Sequence, residues 1–326
     1  MLNKYPQEKI DIKNILDKKI AVLGYGSQGR VQALNLRDSG CSVIVGNRSG
    51  KSFDNAKADG FDVMPVSDAV SKADILCLFF PDESAAEIYK KDVDPFLKKG
   101  QCLLFAHGFN ILYKFIQPPK FVDVVLAAPK GVGPQVRKLF LEGYGVPSLV
   151  SVAQDFSGSA EKIALGYAAG IGSGRSAVFE SSFKDETETD LFGEQAVICG
   201  GVPAIIEEAY LTLVRAGYPK ELAFSECAHE AKLVVDLIYE GGFSKMHDFV
   251  SKTASYGGIT RGKRLVSDET RKEMEKILNE VRSGEFACEW MSEKRSGAIN
   301  YTKMVDEVRE SDIEKTGREF RKMINK

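Results

Sequence analysis

Residues 20–29 read Ile-Ala-Val-Leu-Gly-Tyr-Gly-Ser-Gln-Gly. A short apolar run of this kind fits a strand buried on both faces of a parallel sheet. It leads into a Gly-x-Gly-x-x-Gly turn, and the following residues, Gln28 to Ser39, have a helix-like pattern. Strand, turn and helix in that order give the glycine spacing its weight. Gly24 allows the tight turn, Gly26 lets the backbone approach a pyrophosphate, and Gly29 lets helix and strand pack closely, with helix N–H groups facing the anion. The stretch predicts a dinucleotide site on a doubly wound, Rossmann-type α/β sheet.

Similar apolar runs recur at Val43–Val45, Ile75–Phe80, Cys102–Ala106, Val124–Ala128, Leu149–Val152 and Ser176–Phe179. They are expected to be buried parallel strands, separated by helix-like segments such as Gln28–Ser39 and Ala85–Lys98. Beyond Phe179 the strand pattern stops. Helical periodicity takes over at Thr189–Ala216, Pro219–Tyr239, Asp268–Ser283 and Asn300–Met323. Two domains are expected: residues 1–181, binding the dinucleotide, and residues 182–326, all helical.

With 326 residues, 44% of them hydrophobic and 28% charged, the chain can bury a large core. A net charge of −2 supplies no basic excess to neutralise phosphates, so no nucleic-acid partner is expected. The start lacks a signal-peptide pattern, and no apolar run reads as membrane-spanning, so a cytoplasmic protein with no membrane association is expected. The six cysteines show no CxxC spacing and read as free, buried thiols.

About twenty residues past the glycine turn, an NAD site usually places an acid on the ribose 2′-hydroxyl. Here the second strand ends Val45-Gly46-Asn47-Arg48-Ser49-Gly50-Lys51-Ser52, with no carboxylate. Arg48 and Lys51 offer charge, and Ser49 and Ser52 offer hydroxyls, a set that suits a 2′-phosphate and favours NADPH. Asp54 lies just beyond and keeps NADH possible.

Residues 186–195, ETETDLFGEQ, hold four carboxylates and run into an apolar stretch. Asp190 and Glu194 are four apart and share a helix face, continued by Val197 and Gly201. Glu226 and Glu230 repeat the spacing, on a stripe continued by Leu233 and Leu237 that is expected to be buried. Like charges on apolar stripes are costly to desolvate unless cations compensate them, and a metal centre is the simplest compensator. Carboxylates without clustered cysteine or histidine favour Mg²⁺. Glu226-x-x-His229 also resembles half of a di-iron motif, but it occurs once, and His229 is read as a structural histidine. Glu186 and Glu188 are read as solvated neighbours of Asp190.

His107 and Lys130 stand at the carboxyl ends of expected strands, where open α/β sheets build their crevice. His107 can exchange a proton near neutral pH, and Lys130 can stabilise developing negative charge.

The stretches GYGSQG (24–29), LLFAHGFNI (103–111), PKGVG (129–133), ETETDLFGEQAVICGG (186–201) and ECAHEAKLVVDLIYEGG (226–242) together resemble short-form ketol-acid reductoisomerase, an enzyme of branched-chain amino-acid biosynthesis. The resemblance implies two Mg²⁺ ions on Asp190, Glu194, Glu226 and Glu230, with Asp190 bridging. It implies catalytic roles for His107, Lys130, Asp190, Glu194 and Glu230, and a substrate contact at Ser251. It extends the nucleotide site to Tyr25, Ser27, Gln28 and Gly133. It further implies a knotted helical domain intertwined in a homodimer, with the second carboxylate pair supplied by the partner subunit. The implied reaction shifts an alkyl group between adjacent carbons of a 2-acetohydroxy acid and then reduces the resulting 2-ketone. This chain departs from the family pattern at Arg30, Phe53, Val132 and Pro134, and its Asn47–Phe53 loop is one residue short. A β-hydroxyacid dehydrogenase, which would not need four aligned carboxylates, and a non-catalytic NAD(P)-binding sensor, which Mg²⁺-dependent turnover would rule out, are the rival readings.

Overall fold

The computed structural model describes residues 2–324. The chain divides between Thr189 and Asp190 into two compact units. The first is built on an eight-stranded sheet in the order β3-β2-β1-β4-β5-β6-β7-β8. Its strands are β1 (Lys19–Leu23), β2 (Ser42–Gly46), β3 (Asp62–Met64), β4 (Ile75–Leu78), β5 (Cys102–Phe105), β6 (Asp123–Pro129), β7 (Ser148–Gln154) and β8 (Val178–Glu180). The helices between them are α1 (Lys13–Leu16), α2 (Ser27–Asp38), α3 (Lys51–Ala58), α4 (Val66–Lys72), α5 (Asp82–Ile88), α6 (Phe109–Leu112), α7 (Gly133–Leu141) and α8 (Ala160–Gly170).

The period of two along each strand explains the two-sided core. Ile20 and Val22 of β1, with Cys77 of β4 and Leu104 of β5, pack on one face with Leu36, Ala164 and Tyr167. Ala21, Leu23, Leu76 and Leu103 point to the other face and meet Ala69, Val70 and Val93. With both faces covered, the strands are continuously apolar rather than alternating, as expected for parallel strands flanked by helices.

Two strand expectations are corrected. β7 pairs antiparallel with β6, because a two-sided apolar run reports burial and not direction. β3, only three residues long and opening on Asp62, was not foreseen; it pairs parallel with β2 at the sheet edge.

The second unit is helical from its first residue, because α9 (Phe183–Gly193) carries the chain across the division. It continues as α10 (Gly201–Arg215), α11 (Lys220–Phe224), α12 (Glu230–Phe249), α13 (Lys252–Leu265), α14 (Asp268–Ser283), α15 (Glu285–Arg295), α16 (Ile299–Arg309) and α17 (Asp312–Met323). The expected single helices over 189–216 and 219–239 are each interrupted by a wide π turn, at Glu194–Ile198 and Ser225–His229. The segment expected over 300–323 is two helices, the second starting where the Ser311 side chain accepts from the Glu314 N–H. The helices α13 and α15 were not foreseen.

The apolar stripes of this unit are not covered within the chain. Leu233 is 54% exposed and Val197 47%, so the expectation that Glu226 and Glu230 lie on a buried face fails for the single chain. Cys199 and Cys288 are exposed and Cys227 half-buried, which leaves Cys41, Cys77 and Cys102 as the buried thiols. The helical stretch Phe183–Arg215 is long and apolar enough to cross a membrane by length and composition, contrary to the expectation of no such run.

Candidate active site

The glycine turn is built as its spacing requires. Gly24 has φ +98°, and a Cβ there would lie 2.6 Å from the Phe79 carbonyl oxygen. A Cβ on Gly29 would lie 2.1 Å from the Gly24 carbonyl, so α2 can approach β1 only with glycine there. At Gly26 a Cβ would meet nothing within 4 Å, so the backbone there borders open space. Ser27 and Gln28 open α2, and the Gln28 side-chain amide donates to the Gly131 carbonyl at 2.9 Å, tying the turn to the loop after β6. Gly133 begins α7 close against Ser27.

Gly24→Ala is expected to cost about 1–2 kcal/mol from the left-handed backbone alone, before the clash with Phe79. Dinucleotide affinity, followed by nicotinamide fluorescence, should fall at least about tenfold, since the turn expected to receive the pyrophosphate must open. Wild-type affinity and melting temperature in this variant would contradict the assignment of the turn.

Tyr25 turns away from the open side: it is buried and its hydroxyl donates to Asp59 at 2.9 Å. Arg30, a departure from the family pattern, forms a forked pair with the same carboxylate at 2.7 and 3.0 Å and holds Asp59 below the usual carboxylate range. Phe53, another departure, lies under the Lys57 ammonium at 4.7 Å. Arg48, Ser49 and Lys51 are exposed beyond the end of β2, and Ser52 is half-buried in the first turn of α3. Neither the Arg48 guanidinium nor the Lys51 ammonium has an ion pair among the described residues.

At the carboxyl ends of the strands three charged groups converge. Lys130, one residue past β6, donates to Glu186 Oε1 at 2.9 Å. His107, two past β5, places Nδ1 3.2 Å from Glu186 Oε2. The backbone N–H of Gly108 donates to Glu186 Oε2 at 3.1 Å. Glu186 itself is 1% exposed. Burial pushes its carboxyl up, but the hydrogen bond and charge of His107, with Lys130 next, outweigh burial and hold it below its ordinary value. Glu186 is therefore not the solvated neighbour expected, but the buried anion that joins the two strand-end residues. The sequence carried a signal, since 186, 190 and 194 are spaced by four on one helix; the surrounding acid obscured it.

Asp82, in the first turn of α5, was also missed, although it too follows a strand end. Asn110 donates from its side-chain amide to the Asp82 carbonyl at 3.1 Å and to its carboxylate at 3.3 Å. Burial pushes the Asp82 carboxyl up, partly countered by His107. Two acids facing one histidine are thus driven in opposite directions, an arrangement that separates acid and base roles.

Asp190 follows Glu186 by one turn on α9, and Glu194 follows Asp190 by another, at the start of the π turn. Glu226 lies within the second π turn and Glu230 opens α12. Glu194, Glu226 and Glu230 are exposed and Asp190 half-buried. Neither Glu226 nor Glu230 has an ion pair or side-chain hydrogen bond among the described residues. Ser251 caps α13, its hydroxyl accepting from the Ala254 N–H at 3.1 Å.

The family model "Acetohydroxy acid isomeroreductase, NADPH-binding domain" matches residues 14–177, and "Ketol-acid reductoisomerase, C-terminal domain" matches residues 183–326. A solved NADH-preferring ketol-acid reductoisomerase from an uncultured archaeon is 40% identical, covers 99% of this chain and 98% of its own, and has a TM-score of 0.95. A semialdehyde dehydrogenase NAD-binding protein from Cupriavidus necator, in complex with calcium and NAD, is 20% identical over 82% of this chain and 99% of its own, with a TM-score of 0.63. The Plasmodium falciparum pyrroline carboxylate reductase with NADP bound is 15% identical over 82% and 98%, with a TM-score of 0.52. The last two show the fold alone. Two family models end to end and a full-length relative at 40% identity make this chain a member of the ketol-acid reductoisomerase family.

Proposed function

We propose that this reductoisomerase uses Asp190, Glu194, Glu226 and Glu230 for metal and His107, Lys130 and Glu186 for acid–base and electrostatic work on its 2-acetohydroxy acid, and binds NAD(P)H at Gly24–Gly29 and Gly133. The observation that carries the reading is Glu186: a buried carboxylate held by the strand-end residues Lys130 and His107, with Asp190 and Glu194 on successive turns of the chain that follows.

The four carboxylates fit hard divalent cations. They offer only oxygen donors, and Glu226 and Glu230 are exposed and unclaimed by protein cations among the described residues. Two bound Mg²⁺ ions would supply Lewis acidity to the adjacent hydroxyl and carbonyl oxygens of the substrate, which the alkyl shift needs. Bound NAD(P)H would supply the hydride for the 2-ketone. Asp190 and Glu194 would hold one cation, and Glu226 and Glu230, from the partner subunit, would complete the pair of sites. Lys130, fixed by Glu186, offsets negative charge as it develops on substrate oxygen. His107, oriented through Nδ1 by the same carboxylate, moves a proton to or from substrate oxygen. Ser251 contacts the substrate from the start of α13.

The apolar faces left open on the helical unit, including Ile205 at 58%, Leu233 at 54% and Tyr239 at 86% exposure, support a homodimer with intertwined, knotted helical domains, in which the partner covers these stripes and lends the second carboxylate pair. The same cover accounts for the apolar stretch 183–215 in a cytoplasmic enzyme. The unit up to Thr189 is then the nucleotide domain, eight residues longer than expected, and the unit from Asp190 is the domain that carries the metal ligands and dimer interface.

For the nucleotide we propose NADPH, supported by the exposed Arg48, Ser49 and Lys51 and the absence of a carboxylate at the end of β2. The NADH preference of the archaeal relative favours a second reading, with Asp54 in the first turn of α3 serving the ribose. Arg48→Asp decides between them. Loss of a charged hydrogen bond, about 1.5–3 kcal/mol, should lower kcat/KM for NADPH roughly tenfold to a hundredfold and leave NADH nearly unchanged. Equal effects on both nucleotides would remove Arg48 from the 2′-phosphate site.

A further inference from the structure

Both proposed carboxylate pairs coincide with a π turn, and at the first pair the sequence pays for that turn with two adjacent glycines. The Glu194 carbonyl accepts from the Cys199 N–H, five residues on, at 2.7 Å, and from the Gly200 N–H at 3.1 Å. A turn of this kind holds one residue more than an α turn, so the helix beyond it is rotated by about 100° relative to an uninterrupted one. The rotation matters because α10 is already fixed further along. Tyr210 is fully buried, and its hydroxyl lies 2.8 Å from Asp312 and 2.9 Å from Thr316 of α17. The inserted residue therefore lets the face carrying Asp190 and Glu194 be set independently of the face that packs α10.

Glycine is what admits the turn. A Cβ on Gly200 would lie 1.9 Å from the Gln195 carbonyl oxygen, and one on Gly201 would lie 2.2 Å from the Ala196 carbonyl oxygen. In each case the obstacle is backbone five residues back, which cannot swing aside as a side chain would. Gly193 differs: it lies on α9 with helical backbone, and a Cβ there would meet nothing within 4 Å.

We propose that Gly200 and Gly201 are positioning residues for divalent-cation binding, because they admit the π turn that aims Asp190 and Glu194 as a pair. The proposal rests on the reading of those two carboxylates as metal ligands. Glu226 and Glu230 use a second π turn, in which the Glu230 N–H reaches the Ser225 carbonyl without glycine, so the device is sequence-specific at the first pair only.

The test is Mn²⁺ binding to the full-length protein, followed by electron paramagnetic resonance, alongside NADPH affinity and the melting curve. Gly200→Ala and Gly201→Ala should each weaken Mn²⁺ binding by about 10- to 100-fold, the range for losing support of metal ligands. NADPH affinity should stay as in wild type, and Gly193→Ala should bind Mn²⁺ as wild type does. Asp190→Asn separates the two levels of the argument. If it binds Mn²⁺ normally, the ligand reading fails and this proposal with it. If it loses Mn²⁺ while both alanine variants bind it normally, the glycine proposal alone is overturned. If both alanine variants lose cooperative melting and NADPH binding together, the pair is a folding requirement rather than a positioning one, and the proposal is likewise overturned.

Discussion

Asp190→Asn is expected to lower turnover of 2-acetolactate by about 10³-fold or more while leaving NADPH affinity within about twofold of wild type, since it removes roughly 4 kcal/mol of charge stabilisation from the rearrangement alone. The asparagine keeps the size and one oxygen donor but not the charge. As the expected bridging ligand, Asp190 would serve both cations, so its loss should exceed that of Glu226→Gln, which would affect one. The dinucleotide turn at Gly24–Gly29 depends on none of these groups; it is tied to Gly131 through Gln28 and to Asp59 through Tyr25. Steady-state turnover and nicotinamide fluorescence titration on the same preparation check both halves. Equal loss of turnover and of NADPH affinity would point to general misfolding, and undiminished turnover would remove Asp190 from the site.

Glu186→Gln should produce the second largest effect, and it acts through two quantities. Lys130 and His107 lose the anion between them. Removing one partner of an enclosed pair costs about 3–5 kcal/mol, but the Lys130 side chain is 33% exposed, so a loss of stability of about 1–3 kcal/mol is expected. Turnover should fall by about 10²- to 10⁴-fold, because neither the proton carrier nor the cation would be held in place. The sign of the pH dependence follows from the lowered Glu186 carboxyl. A carboxyl whose folded value lies below its unfolded one adds stability above the unfolded value, near 4.3 for glutamate, and loses it as pH falls toward the folded value. The stability gap between wild type and Glu186→Gln should therefore be full near neutral pH and shrink on acidification below about 4.3. A gap that grows in acid would mean that Glu186 is not held ionised by its partners.

The sheet was legible in the sequence where strand residues are unambiguous. Ile20–Leu23 followed by Gly-x-Gly-x-x-Gly leaves little freedom, and β1 and α2 form there within a residue of expectation. The direction of β7 was not legible, since a run such as Leu149–Val152 looks alike in either pairing. The three-residue β3 is stabilised by its edge pairing with β2 rather than by its own composition.

In the helical half, the stripe through Leu233 reads as core, because amphipathic periodicity registers that a face must be covered and not which molecule covers it. The π turns at Glu194 and Ser225 escaped for a different reason. One inserted residue leaves composition and periodicity almost unchanged, and only the adjacent Gly200 and Gly201 hint at it. His107 and Lys130 were legible from their places after strands. Glu186 was hidden by its own neighbours, because exposed and buried acids look the same until the partners 56 and 79 residues away are brought to it.

The measurement that tests this account most directly is oxidation of NADPH by the wild-type protein with 2-acetolactate, with Mg²⁺ present and with Mg²⁺ removed by chelator. The account predicts oxidation that requires Mg²⁺ and is restored when it is added back. Oxidation that proceeds equally well without divalent cation, or none under either condition with NADPH or NADH, would contradict it.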